Sequence, residues 1–516
     1  MANASNKQID RYTDIGTLSV KVRAVVKRTN LPLAIILACE TLYLVVSNRP
    51  GGAALGLIGA GTWISLYVWS QGGIGLPLMP MMAIQTLVIY GVPIMTSHDV
   101  ILEYPQSFVF SAGVEVLIFG AAMTAAWNFG MRTFHPSPPI CYALHKFSGS
   151  GVKGWSRLGF GMIGCATGFI VLQDLNLLDS FFLVLPGGAY PIVLALLSAM
   201  SACGFFLVSL VIGGNEATTF DKVLFWRLLV GNAMISALDF ILASAAANLI
   251  TVAIGLFWSR GRVPWRYLAI AMLSLSFFNT GKATMRARYW GNDDSPATSF
   301  TLEQLPACYS EWAQASYDAI LENNAEKSPG SGANESQSNK NQTLLDRVDN
   351  LQNLLFVIDA IKTNHITPLY GDTYLLIPPL LVPRVLWPNK PRGHEGQVLL
   401  NVHFGRQDLD STYATYIAWG LLPEAYGNFG PIAGSVVLGC ALGFLFAWIE
   451  NVSAKKLIIS MEGFLLISFL MNLMNSFEMV ASILVTSTFQ SMVVIVLASA
   501  PFVRRTVVKP RMEEEY

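Results

Sequence analysis

The sequence predicts an all-α polytopic membrane protein with about 12 transmembrane helices and one large extracytoplasmic loop. Three observations predict it. Of 516 residues, 53% are hydrophobic and only 13% charged, about half the charge of an ordinary soluble protein. Apolar runs of about 20 residues, enough to cross a bilayer, recur between residues 31 and 503. Lys and Arg collect in alternate short loops, the asymmetry that orients such chains in a membrane.

The elements follow in order. Residues 1–30 are basic (Lys7, Arg11, Lys21, Arg23, Lys27, Arg28) and too long and polar for a cleavable signal peptide, so they form a cytoplasmic segment. Spans are expected near 31–47, 53–70, 74–95, 108–127, 156–173, 189–212, 224–241, 242–259, 266–282, 427–449, 456–474 and 480–503. The seventh and eighth form either a short hairpin turning near Asp239 or a single span. Charge favours two. With an even count both termini share one side, and every clearly basic short segment joins them: 128–155 (Arg132, Lys146, Lys153), 213–223 (Lys222), 260–265 (Arg260, Arg262), 450–456 (Lys455, Lys456) and the tail 504–516. The loops 96–107 and 174–188 carry acids and no Lys or Arg. Arg49 is the lone exception, and an odd count would move Arg260, Arg262 and Arg266 outside. The expected organisation is therefore helices one to nine over 31–282, a large outer loop over 283–426, helices ten to twelve over 427–503, and a cytoplasmic tail.

Within the loop, 301–322 has a helical pattern, and 323–342 ("NNAEKSPGSGANESQSNKNQ") has almost no apolar residue and reads as a linker. Leu344, Leu345, Val348, Leu351, Leu354, Leu355, Ile358 and Ile361 then recur at helical spacing, an amphipathic helix that packs on the spans or lies on the membrane.

Between 283 and 420 there are ten Lys/Arg and fifteen Asp/Glu, so the loop is acidic overall. Yet Arg384, Lys390, Arg392 and Arg406 stand together with one acid, Glu395, and Arg286 and Arg288 follow the ninth span. Each cation taken singly suits a local acid. Taken together they suit a bound anion, for which Arg offers paired planar donors. The proline-rich "LIPPLLVPRVLWPNKP" is expected to be semi-rigid and extended rather than helical. Trp387 serves either as an interfacial anchor or as a stacking face for a sugar. In "GLLPEAYGNFGPIAG", Glu424, Tyr426 and Asn428 stand at the outer mouth of the tenth span, Glu424 being a partly desolvated base or a helix cap.

"PRVLWPNKP" followed by "PEAYGNFGPIAG" resembles the pattern of bacterial O-antigen polymerases of the Wzy type, the oligosaccharide repeat-unit polymerases. The motifs cover about 375–435, and the topology is similar over most of the remainder. The resemblance implies a GT-C-like membrane glycosyltransferase of the bacterial inner membrane. It would move a growing glycan from undecaprenyl diphosphate to a new lipid-linked repeat unit on the periplasmic face, with a chain-length regulator as a further partner. No cofactor and no nucleic acid are expected. Under this reading Arg384, Arg392, Lys390, Arg406 and Arg286 hold the leaving diphosphate without a metal. Glu424 and then His394 are the candidate bases, ahead of His403 and Glu395, and Trp387, Tyr426 and Asn428 contact substrate. An O-antigen ligase would handle the same donor. A flippase would show paired halves and charges at mid-depth, and the sequence has no clear internal repeat.

Other signals point elsewhere. Six scattered cysteines form no CxxC pair, so neither a zinc site nor a disulfide framework is expected. "GSGVKG" at 149–154 has no preceding strand and reads as a flexible connection rather than a nucleotide fingerprint. "DLD" at 408–410 suits counter-charges to the nearby cations better than a metal. Glu40 and Glu115 lie in spans, where they are protonated, paired or pore-facing.

Overall fold

A computed structural model describes residues 14–144, 151–174, 178, 189–238, 240–290, 302–326, 349–383, 386–387, 389–414, 417–474 and 479–507. Its α-helices of five or more residues, in chain order, are α1 (Gly16–Val46), α2 (Gly52–Gly72), α3 (Leu78–Met95), α4 (Gln106–Thr133), α5 (Gly151–Asp174), α6 (Ala189–Gly213), α7 (Thr219–Ser236), α8 (Leu242–Arg260) and α9 (Trp265–Tyr289). After these come α10 (Leu305–Glu326), α11 (Leu351–Lys362), α12 (Ile377–Leu381), α13 (Glu395–His403), α14 (Leu421–Phe429), α15 (Ala433–Ser453), α16 (Met461–Met474) and α17 (Ala481–Ser499). Strands β1 (Ile140–Leu144) and β2 (Val503–Val507) pair antiparallel.

Among the described residues nine helices are long and apolar enough to cross a membrane: α1 to α6, α8, α15 and the helix that begins with α17. The chain is thus a predominantly helical, multi-pass membrane protein. The other three expected spans also fall on helices, but α7 and α9 are less apolar and α16 has only 14 residues.

Several boundaries move, each for a local reason. The first expected span is the second half of α1, whose 31 residues extend about 46 Å. Its first half carries Lys21, Arg23, Lys27 and Arg28 on a helix. The expected 427–449 span divides in two. Gly430 (φ 77) and Ile432 (φ 62) turn the chain around Pro431, which has no N–H to give. Glu424 therefore belongs to the separate short helix α14, not to the mouth of α15. The expected extended segment opens as the short helix α12, because Pro378 and Pro379 sit in its first turn, where missing N–H groups cost nothing. Four residues assigned to the linker, 323–326, complete α10, and 151–154 begin α5 rather than a flexible connection. The rest of the linker, 327–342, and the start of the amphipathic helix, 344–348, lie outside the described residues.

The two ends of the bundle are distinct. At one end Ile15 N–H donates to Lys456, Lys456 Nζ donates to the Ile140 carbonyl (2.6 Å), and Arg260 Nε to the Gly213 carbonyl (3.4 Å). Lys21 Nζ reaches the last carbonyls of α8, where a cation suits the helix dipole. These contacts and the β1–β2 ladder gather the basic segments that charge alternation placed on one side. At the other end Gly51 N–H meets Gln106, Lys362 Nζ meets Ser111 (2.7 Å), and Leu369 and Tyr370 donate to Gly427 and Asn428. Here the described part of the large loop docks. The buried face of α11 (Leu351, Leu354, Leu355, Ile358) joins the main core, so this amphipathic helix packs on the spans.

Small residues draw the central helices together. A Cβ at Gly439 of α15 would stand 2.7 Å from the Phe119 carbonyl oxygen of α4, and one at Gly443 would overlap the Met123 carbonyl. Such close approach is how helices associate where lipid offers no hydrophobic drive.

Candidate functional site

The site is built on the first turn of α17. Helix starts leave N–H groups without intrahelical partners. The Ala481 N–H donates to Glu424 Oε2 at 2.6 Å, and Thr373 Oγ1 donates to Oε1 at 2.7 Å. Asn428, one turn after Glu424 on α14, donates to Thr373 Oγ1 (2.9 Å) and to the Glu424 carbonyl (2.8 Å). Glu424, Thr373 and Asn428 are all fully buried. Burial pushes the Glu424 carboxyl up to about 7, against the Ala481 N–H and the Thr373 hydroxyl, which pull it down. Burial, and then the Glu424 charge, raises the Tyr374 phenol well above its ordinary value.

A second stretch reaches the same place. A Cβ at Gly396 would stand 2.8 Å from Ser482 Oγ and also face Val480. Gly396 lies in the first turn of α13, two residues after exposed His394, whose Nδ1 pairs with Gln397 Oε1 at 3.0 Å. The "PRGHEG" and "PEAYGNFG" stretches, about 30 residues apart in sequence, thus converge on Val480–Ser482. Helix α12 packs on α17 as well.

The cations have local partners. Lys390 Nζ donates to the carbonyls of Leu380 (2.8 Å) and Val382 (2.6 Å), folding the proline segment back on itself. Arg392 Nε pairs with Glu395 Oε2 at 3.0 Å, and its guanidinium lies 4.5 Å from the Tyr413 ring centroid. Arg406 Nη1 donates to Asn353 Oδ1 at 2.7 Å, and burial lowers its pKa. Around it Asn353 donates to Asn350 and to the Trp419 carbonyl, and the Trp419 indole to Asn401, a buried polar network.

Arg286 is not brought to this place by its described contacts. Its Nη2 donates to the Phe240 carbonyl (3.0 Å) and its guanidinium lies 3.9 Å from the Trp290 ring, beside the separate cluster of Phe240, Met285 and Trp312. Arg384 lies outside the described residues. Trp387 is exposed, Tyr426 is buried, and His403 Nε2 donates to the Thr367 carbonyl at 2.8 Å.

Two buried carboxylates in the spans brace backbone. Glu115 on α4 accepts the Ile432 N–H (2.9 Å) and the Ser435 hydroxyl, capping the abrupt start of α15. Glu450, which the sequence reading passed over, accepts the indole N–H groups of Trp69 (3.1 Å) and Trp127 (2.8 Å) and the backbone N–H of Ile74 (2.7 Å). An acid at the edge of an apolar run was the available signal for Glu450. Thr373 and Ala481 offered none, since their roles arise from tertiary contact.

Neither a protein-family model nor a curated protein nor a solved structure matches the chain. The geometry itself distinguishes two kinds of group: an enclosed carboxylate that fixes helix ends, and half-buried Arg392 with exposed Tyr413 against it and exposed His394 two residues on.

Proposed function

We propose that this chain is a GT-C-like membrane glycosyltransferase that polymerises lipid-linked oligosaccharide repeat units on the periplasmic face of a bacterial inner membrane. Twelve spans and cytoplasmic termini belong to the same reading. The observation that supports it best is that the segments flanking "PRVLWPNKP" (α12 before it and Gly396 after it) and Glu424 of "PEAYGNFGPIAG" meet at α17, because those two stretches carry the family resemblance.

In this reading Arg392, with Arg384 eight residues before it in sequence, holds the donor's diphosphate. Its guanidinium keeps its charge at all working pH, and exchanging Glu395 for a phosphate oxygen retains a charge-assisted bond. As the sugar–phosphate bond breaks, the negative charge on the departing lipid diphosphate meets a fixed cation. His394, exposed beside Arg392, is within reach of an acceptor hydroxyl and takes its proton. Glu424 is fully buried and hydrogen-bonded to Ala481 and Thr373, which supports placing His394 ahead of it as the base. The role of Glu424 is to position α14 against α17.

Removal of the gene should leave single lipid-linked repeat units, and the wild-type gene should restore polymer. Arg392→Ala and Arg384→Ala should fail to restore it at normal membrane levels. Wild-type polymer from both variants would refute the diphosphate assignment. Accumulation of long lipid-linked polymer in the deletion would identify a ligase instead.

A further inference from the structure

The cations at the two ends of the bundle are used differently. On the side of the large loop Arg288 pairs with Glu311, Arg392 with Glu395, Arg406 with Asn353, and Lys390 with two carbonyls. At the other end Lys27 and Arg28 of α1, Arg262 in the α8–α9 turn and Arg266 of α9 are all exposed, and none has an acid or a hydrogen-bond acceptor as partner among the described residues. Two acids at this end are used locally: Asp14 accepts the Gly16 N–H, and Asp221 completes the cap of α7. Arg23, between Lys21 and Lys27 on α1, has its Nε buried and also without a partner among the described residues.

One contact draws these cations together. Lys21 Nζ donates to the last carbonyls of α8, and a Cβ at Gly261 would stand 3.6 Å from the Lys21 side chain. Arg262, the next residue, is thereby fixed beside α1. The face of α1 that begins at Lys21 continues at helical spacing through Ala24, Arg28, Leu31, Ile35 and Leu42, all of them exposed. On α9, Arg266, Ile270 and Leu273 form a second exposed stripe, with exposed Trp265 at its start. Each stripe has a cation at its end and apolar side chains after it. Their depth follows from register. Gly56 of α2 faces Thr41 of α1, and Gly59 faces Leu37, so the two helices run antiparallel. Continued, that register brings Arg28 level with Val68, about one turn short of the end of α2 at Gly72. A cation at that level of a membrane span extends its head to the layer of lipid phosphates, and Trp265 is a side chain suited to the same layer.

We infer that the surface between α1 and the α8–α9 turn holds one anionic phospholipid, its phosphate on Arg28 and Arg262 and its acyl chains along the apolar stripes of α1 and α9. Guanidinium groups suit phosphate oxygens through paired planar donors. A soluble phosphate would use the cations and leave the stripes idle. A zwitterionic lipid would use the stripes but bring its own cation to Arg28 and Arg262. An anionic phospholipid matches both halves of the surface. The inference stands apart from the glycosyl-transfer reading, since it uses the opposite end of the bundle.

The test uses the full chain in phosphatidylcholine nanodiscs with a trace of photoreactive phosphatidylglycerol labelled beside its head. Labelling should concentrate on peptides containing 24–35 and 262–273, and unlabelled phosphatidylglycerol should displace it where inorganic phosphate does not. Arg28→Gln with Arg262→Gln should reduce it about thirtyfold, the effect of two basic groups at a membrane surface. Arg132→Gln with Lys455→Gln removes as much charge from two other exposed positions at the same end and should leave it unchanged. Phosphatidylglycerol should raise the melting temperature of the wild type above its value in phosphatidylcholine. The Arg28/Arg262 variant should melt as the wild type does in phosphatidylcholine and gain nothing from phosphatidylglycerol, which separates lost binding from lost fold. Equal loss of labelling in the Arg132/Lys455 variant would make the attraction a diffuse surface charge and overturn the site. Displacement by inorganic phosphate, or labelling spread evenly over the exposed apolar faces, would overturn it as well.

Discussion

Replacing Glu424 by Gln separates the brace from the base. The carboxyl is fully enclosed, and its pKa stands at about 7 against an ordinary value near 4.5. A folded-state value above the unfolded one means that the native chain holds the proton more tightly. The resulting stability is fully present below about pH 4.5 and is lost as pH rises to about 7. That difference corresponds to about 3 kcal/mol, or about 3 °C in melting midpoint for a chain of this size. Gln keeps the shape, accepts the Ala481 N–H and carries no charge. The midpoint of the wild type relative to Glu424→Gln should therefore fall by about 3 °C between pH 5 and pH 8, followed by thermal denaturation in detergent. If Glu424 is the brace, polymer yield should stay within about threefold of wild type, less than the ~10²-fold or greater loss expected of a missing base. A midpoint difference independent of pH would refute the burial argument. Normal melting with polymer abolished would return Glu424 to the chemistry.

Other expectations are equally direct. Glu450→Ala and Trp127→Phe remove the acceptor and the donor of one buried hydrogen bond, so a double-mutant cycle should show a coupling of about 0.5–3 kcal/mol; coupling near zero would mean that the pair does not act together. Gly443→Leu should force α15 away from α4 and deplete folded protein from membranes, while Ala441→Leu on the same helix should not, as monitored by size-exclusion profile. A reporter fused near Gly330 should register the periplasm and one after Val507 the cytoplasm; a cytoplasmic signal near Gly330 would invert the whole topology.

Much of the architecture was legible because bilayer thickness fixes the length of an apolar run. The eighth helix, for example, was expected at 242–259 and runs Leu242–Arg260. Boundaries slipped where hydropathy carries no information. The basic start of α1 is helical through backbone bonding, which is indifferent to whether side chains are wet. The break after Phe429 depends on left-handed backbone at Gly430 and Ile432, and only the Gly-Pro pair hinted at it. The cationic cluster was visible as composition, but composition does not say which carbonyl a lysine meets. Lys390 lies within reach of Leu380 and Val382 only because Pro378 and Pro379 start a helix there. The buried carboxylates were half legible: an acid in a span announces a partner, yet the partner of Glu115 lies 317 residues away.

The small β-ladder has a consequence for how the protein is made. Val503–Val507 emerges from the ribosome about 360 residues after Ile140–Leu144, roughly 20–70 s at ordinary rates of synthesis. Throughout that interval β1 presents an unpaired edge, the kind of surface that recruits other chains. A message cut short before residue 503 would yield a protein with its spans inserted and that edge permanently open. The pairing of β1 with β2 thus closes that edge only after every helix between them has been made.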